Sequence, residues 1–78
     1  MANGVRPEIE SLFSDVFNFA DAISLETSRG DVPKWDSLQH IALVTAVEQR
    51  FGISLSMDEM VEMRSVQDIQ NVLTRHGV

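Results

Sequence analysis

Ile9, Leu12, Phe13, Val16, Phe17 and Ala20 recur at spacings of three and four, which gathers them on one stripe of a helix whose other side carries Glu10, Ser14, Asp15 and Asn18. This helix I starts at Pro7, whose missing N–H costs nothing in a first turn, and Glu8 and Glu10 sit at the positive end of its dipole. From Asp21 to Asp36 the periodicity fades, and Ser28-Arg29-Gly30-Asp31 followed by Pro33 supplies turn residues. A loop of that length in so short a chain needs its own packing, for which Ile23, Leu25, Val32 and Trp35 are available. Helix II runs from Ser37 to Phe51, between an Asp36 N-cap and a Gly52 stop. Ser56 with Glu59 forms a capping box that opens a short helix III, with Met57, Met60 and Val61 on one side. Ser65 with Asp68 repeats the device for helix IV, which buries Val66, Ile69, Val72 and Leu73 and frays near Gly77. No segment alternates long enough for a lasting strand, although Ile53-Ser54-Leu55 can be briefly extended. The pattern predicts an all-α fold, a small four-helix bundle of three main helices and the short helix III, with a long loop between helices I and II. Residues 1–78 read as one domain with a flexible segment 1–6 and a fraying end at 76–78.

Helix II carries two apolar stripes. At 100° per residue, Leu43, Val44, Val47 and Phe51 fall on one side, which is assigned to the core, and Leu38, Ile41, Ala42 and Thr45 fall almost opposite. One stripe is enough to dock a surface helix, so the second is either covered by the long loop or open to a partner, and the pattern favours neither. That stripe begins beside Ser37, whose hydroxyl is expected to project from the helix tip into solvent. The free N–H groups and dipole of a helix start favour a phosphate there. An isolated Asp-Ser-Leu carries little weight, because a fixed tripeptide recurs by chance roughly once in several thousand positions.

Composition narrows the functional classes. The chain is 44% hydrophobic and 23% charged, with six Lys and Arg against twelve Asp and Glu and a net charge of −6. A domain of this size buries only about 60% of the surface its unfolded chain exposes, which leaves room for one core and little for a walled substrate pocket. A self-contained enzyme is not expected. The acidic balance disfavours nucleic acid and anionic membranes as partners. With no cysteine there is no disulfide, no thiol nucleophile and no Cys-based zinc site. No secretory signal and no apolar run long enough to span a bilayer is present, so the expectation is a soluble, cytoplasmic protein without membrane insertion.

Two chemical readings of the polar residues fail on spacing. Ser37 with His40 and Asp36 could be taken for a hydrolytic set, but an exposed helix tip offers no oxyanion hole, and His40 is better placed as a packing or rim residue between the stripes. Asp58, Glu59 and Glu62 lack the ligand loop and glycine of a calcium site and read as a solvated helix face. No metal site is expected, and His76 is taken as solvated.

Asp36-Ser37-Leu38, followed at the expected distances by Leu43, Glu48, Phe51-Gly52-Ile53 and Ser65-Val66-Gln67-Asp68, resembles the acyl carrier protein family over most of the chain. The resemblance implies that Ser37 is esterified by the phosphate of 4′-phosphopantetheine, transferred from coenzyme A by a dedicated phosphopantetheinyl transferase. The domain would then carry acyl groups as thioesters and present them to separate acyl-loading and acyl-processing enzymes of fatty-acid, lipid or polyketide type, without catalysis of its own. Partner recognition carries over to Asp36, Leu38, Ile41 and Met60, and an acyl-chain pocket to Leu43, Val47 and Met63. Partners that bind and release in turn call for contacts of modest area. Two departures point away from housekeeping fatty-acid synthesis: helix II has a single acid, Glu48, and Trp35 stands where a small residue is usual. Trp-Asp-Ser-Leu is more like specialised carriers of a dedicated lipid, polyketide or aminoacyl pathway, here a discrete monomer. The rival from another class is an unmodified acidic helical adaptor that binds through the Leu38/Ile41 stripe.

Overall fold

The computed structural model describes residues 4–19 and 22–78, so Met1, Ala2, Asn3, Ala20 and Asp21 lie outside the described residues, including the Ala20 position assigned to the first stripe. Among the described residues, four α-helices follow one another, α1 (Pro7–Phe17), α2 (Ser37–Phe51), α3 (Met57–Glu62) and α4 (Val66–Arg75), with one 3-10 turn at Arg29–Asp31 in the long loop. The predicted all-α bundle is the observed architecture.

Local chemistry sets the helix ends. Pro7 occupies the first turn of α1. The helix stops at Phe17, a turn before its apolar spacing runs out, because Asn18 takes a left-handed conformation (φ 50°, ψ 40°) and returns its N–H to the Phe13 carbonyl. Asparagine is the side chain that best tolerates that geometry after glycine. Asp36 caps α2 and Gly52 ends it with φ 66°. Ser56 and Glu59 form the expected box at the start of α3. At α4 only half of the device forms: Ser65 Oγ accepts from the Asp68 N–H at 3.2 Å, and Asp68 returns no bond. Ile53-Ser54-Leu55 forms no strand. Instead Glu48 reaches from α2 to accept from the Leu55 N–H at 2.8 Å, which ties the α2–α3 connection to the helix it leaves.

The core is built from Ile9, Leu12, Phe13 and Phe17 of α1, Leu43, Val44 and Val47 of α2, Met63 before α4, and Val66, Ile69, Val72 and Leu73 of α4. Phe51 is only partly covered and packs at its edge. The long loop contributes as expected, with Ile23, Val32 and Trp35 buried and Leu25 packed against them. Trp35 meets Phe13 edge-on at 5.3 Å between ring centroids and lies tilted over Phe17 at 5.5 Å. Such pairs add about 0.5–1.5 kcal/mol beyond burial, so the loop is anchored immediately before α2.

Both ends of the described chain are tied down. Val5 is buried, the Arg6 N–H donates to Gln70 Oε1 at 2.9 Å, and Gln70 Nε2 donates to the Gly4 carbonyl at 3.0 Å. Gly4 and Arg6 are thus bonded to α4, and residues 1–3 of the segment expected to be flexible lie outside the described residues. At the other end, His76 Nε2 meets Glu59 Oε2 at 2.8 Å and Arg75 pairs with Glu62. His76 is exposed, as expected, but it also hydrogen-bonds Glu59, and with the Arg75–Glu62 pair it links α3 to the end of α4. The Glu59 carboxyl is held below its ordinary value, mainly by the Ser56 backbone N–H, against an opposing desolvation second in size, with the His76 hydrogen bond and charge adding to the lowering.

Candidate functional site: the tip of the second helix

Ser37 is the first residue of α2 and is exposed. The Asp36 carboxylate before it accepts from the Gln39 N–H at 2.8 Å, and the Asp36 carbonyl accepts from the His40 N–H at the same distance. These bonds close the first turn and leave the Ser37 hydroxyl without a hydrogen-bond partner among the described residues. No acidic residue lies inside that first turn, so the Asp36 cap is the one carboxylate on this end of the helix, whose dipole favours an incoming phosphate.

Two residues hold the tip in place. Trp35, locked in the core by the two phenylalanines, donates its indole N–H to His40 Nδ1 at 2.9 Å, and the two rings stack at 6.1 Å. Because Nδ1 accepts, the proton of the neutral ring is on Nε2, which donates to the Met60 carbonyl at 2.8 Å. His40 thus bridges the loop, α2 and α3. Its ring nitrogens are both engaged away from Ser37, and Asp36 is spent on the cap, so the three residues do not form a hydrolytic set. The reading of His40 as a packing residue at the rim holds, with a more definite task than spacing alone assigned.

The open question about the second stripe is answered by exposure. Leu38 is 74% and Ile41 56% exposed, and Ala42 and Thr45 are exposed beside them. The loop packs inward and covers none of them. Asp36, Leu38 and Ile41 lie within the cap and first turns of α2 around Ser37 in sequence, and half-buried Met60 is joined to the same stretch of α2 through the His40 bond to its carbonyl. Leu43, Val47 and Met63 lie elsewhere, fully buried within the core.

Next to the tip is an open groove of about 250 Å³ between α2, α3 and the long loop, lined by Arg29, His40, Met57, Met60, Val61 and Arg64. The two arginines escaped sequence reading because they are far apart in the chain and belong to no periodic stripe. Among the described residues there is no cluster of three or more metal-ligating side chains and no helix long and apolar enough to cross a membrane.

A family model described as a phosphopantetheine attachment site matches residues 8–73. No curated protein and no solved structure matches the chain.

Proposed function

We infer the role of the protein from one premise: the chain belongs to the phosphopantetheine attachment site family. Members carry 4′-phosphopantetheine covalently and are non-catalytic carriers, served by a phosphopantetheinyl transferase and by enzymes that handle acyl groups. We propose that Ser37 is the attachment residue here. The observation that carries this is its position: it is an exposed, unbonded hydroxyl at the first turn of α2, beside the Asp36 cap and at the positive end of the helix dipole.

The residues present fit the group. The Asp36 cap and the Trp35–His40 bridge fix the tip, so a transferase meets a preformed target. In the transfer the Ser37 Oγ would bond the phosphorus of the 4′-phosphopantetheinyl group as its pyrophosphate P–O bond in coenzyme A breaks, the hydroxyl proton would pass to a base of the transferase, and adenosine 3′,5′-bisphosphate would leave. When bound, the arm supplies the thiol that this cysteine-free chain lacks, on which acyl groups are held as thioesters. Leu38 and Ile41, with Asp36 and Met60 beside them, offer an apolar ridge of modest area on which successive enzymes dock and from which they release. Leu43, Val47 and Met63 would line an acyl-chain pocket only if the core opened between its helices. The single acid of α2 and the buried Trp35 favour a dedicated lipid, polyketide or aminoacyl pathway over housekeeping fatty-acid synthesis. We place the carrier in the cytoplasm as a monomer.

Intact-mass measurement after incubation with coenzyme A and a phosphopantetheinyl transferase tests the assignment. The protein gains one phosphopantetheine and Ser37→Ala gains none. A wild-type chain that stays at its polypeptide mass, as an unmodified adaptor would, overturns it.

A further inference from the structure

Arg29 and Arg64 are neighbours by construction of the backbone. The Arg29 N–H donates to the Arg64 carbonyl at 3.2 Å, Ser28 and Ser65 form an isolated antiparallel bridge, and the Val66 N–H donates to Thr27. Like charges set side by side on paired backbone repel. Neither guanidinium has a carboxylate partner among the described residues, although the chain has twice as many acids as Lys and Arg. Three acids of the same segments are committed elsewhere: Glu59 to Ser56 and His76, Glu62 to Arg75, and Asp31 to the N–H and hydroxyl of Ser28. The Arg64 Nε–H donates to the Val61 carbonyl at 3.3 Å, which leaves its terminal nitrogens unbonded among the described residues, and Arg64 lines the groove. Between the two cations and α2, the groove wall is thioether and aliphatic, with Met57 and Val61 exposed. Methionine adapts to a flexible apolar stem, and paired arginines match a carboxylate.

We propose that this groove holds the far end of an acyl cargo that bears a second, ionised carboxyl group, with its methylenes on Met57, Met60 and Val61 and its carboxylate between Arg29 and Arg64. The inference rests on Ser37 as the attachment residue, since a tether supplies the local concentration, on the order of millimolar, that makes a shallow ionic groove effective. The phosphodiester of the arm does not match as well: it is fixed at the tip of α2 and brings no methylene run for the apolar wall. The groove would distinguish a dicarboxylic half-thioester from a neutral acyl group of equal length.

The test uses the full chain loaded by a transferase from adipoyl-coenzyme A, hexanoyl-coenzyme A or coenzyme A alone, each sample checked by intact mass. NMR is then read at the arginine Nε–H and methionine methyl signals. The adipoyl form shifts Arg29, Arg64, Met57 and Met60 relative to the hexanoyl form, and the difference is lost in Arg29→Gln/Arg64→Gln and shrinks at high salt. Equal shifts from adipoyl and hexanoyl cargo, shifts already complete with the bare arm, or no shift in fully loaded protein overturn the groove assignment alone. Failure to gain mass overturns the carrier reading and the groove assignment with it.

Discussion

The contact on which the geometry of the tip depends is one imidazole. His40 satisfies the Trp35 indole N–H on one side and bonds the Met60 carbonyl on the other, so its removal leaves a buried donor without a partner and leaves the Met60 carbonyl only the longer bond from the Met63 N–H. A buried polar group deprived of its bond costs about 1–3 kcal/mol. His40→Ala is expected to lower stability by that order in chemical denaturation monitored by circular dichroism. Trp35→Phe deletes the donor and keeps a ring against Phe13 and Phe17, so the two losses overlap and the double variant costs less than the sum of the single ones. Additive costs would show that the indole bond contributes nothing. Much of this region is visible in the chain alone, because Asp36, Ser37 and the exposed stripe follow from capping and helical spacing. The Trp35–His40 bond does not, since five residues spanning a loop and a helix turn have no characteristic pattern.

Helix α3 shows how an element too short to stand alone is kept in place. Six residues make barely two turns, below the length at which isolated helices persist, and none of them is fully buried. Its hold comes from the Ser56–Glu59 box, the His40 bond to Met60, and the ion pairs from Glu59 and Glu62 to the end of α4. The box was legible because it is complete within four residues. The ion pairs were not, because His76 and Arg75 meet α3 only after the chain has folded back. The depressed Glu59 carboxyl has a consequence for acid stability. A carboxyl held below its ordinary value of 4.5 binds fewer protons folded than unfolded, so it stabilises the fold above that pH and loses the contribution as pH falls through the lower folded value. Thermal melts of wild type and Glu59→Gln are expected to differ at neutral pH and to converge in acid. Because the Ser56 N–H is the leading cause, the difference persists where His76 is neutral. Curves that stay parallel down to pH 2 would refute the assignment.

For the whole molecule, the chain closes on itself through Gln70. Its side chain receives the Arg6 N–H and donates to the Gly4 carbonyl, which seals Val5 into the core and joins the start of the described chain to α4. Gly4 has φ +88° there and faces Leu25, so a side chain at that position would be strained as well as crowded. Periodicity placed the apolar face of α4 correctly, yet Gln70 lies off that face and nothing local distinguishes it from the other polar positions. Gln70→Ala is expected to cost about 1–2 kcal/mol, two ordinary hydrogen bonds at a partly buried site. The cost should be local as well as global. Amide exchange at Arg6 loses its protection by local opening, while the amides of α2 slow or quicken only with global stability. Equal acceleration at Arg6 and in α2 would mean that the segment opens only when the whole bundle does, and that the Gln70 clasp has no independent hold on it.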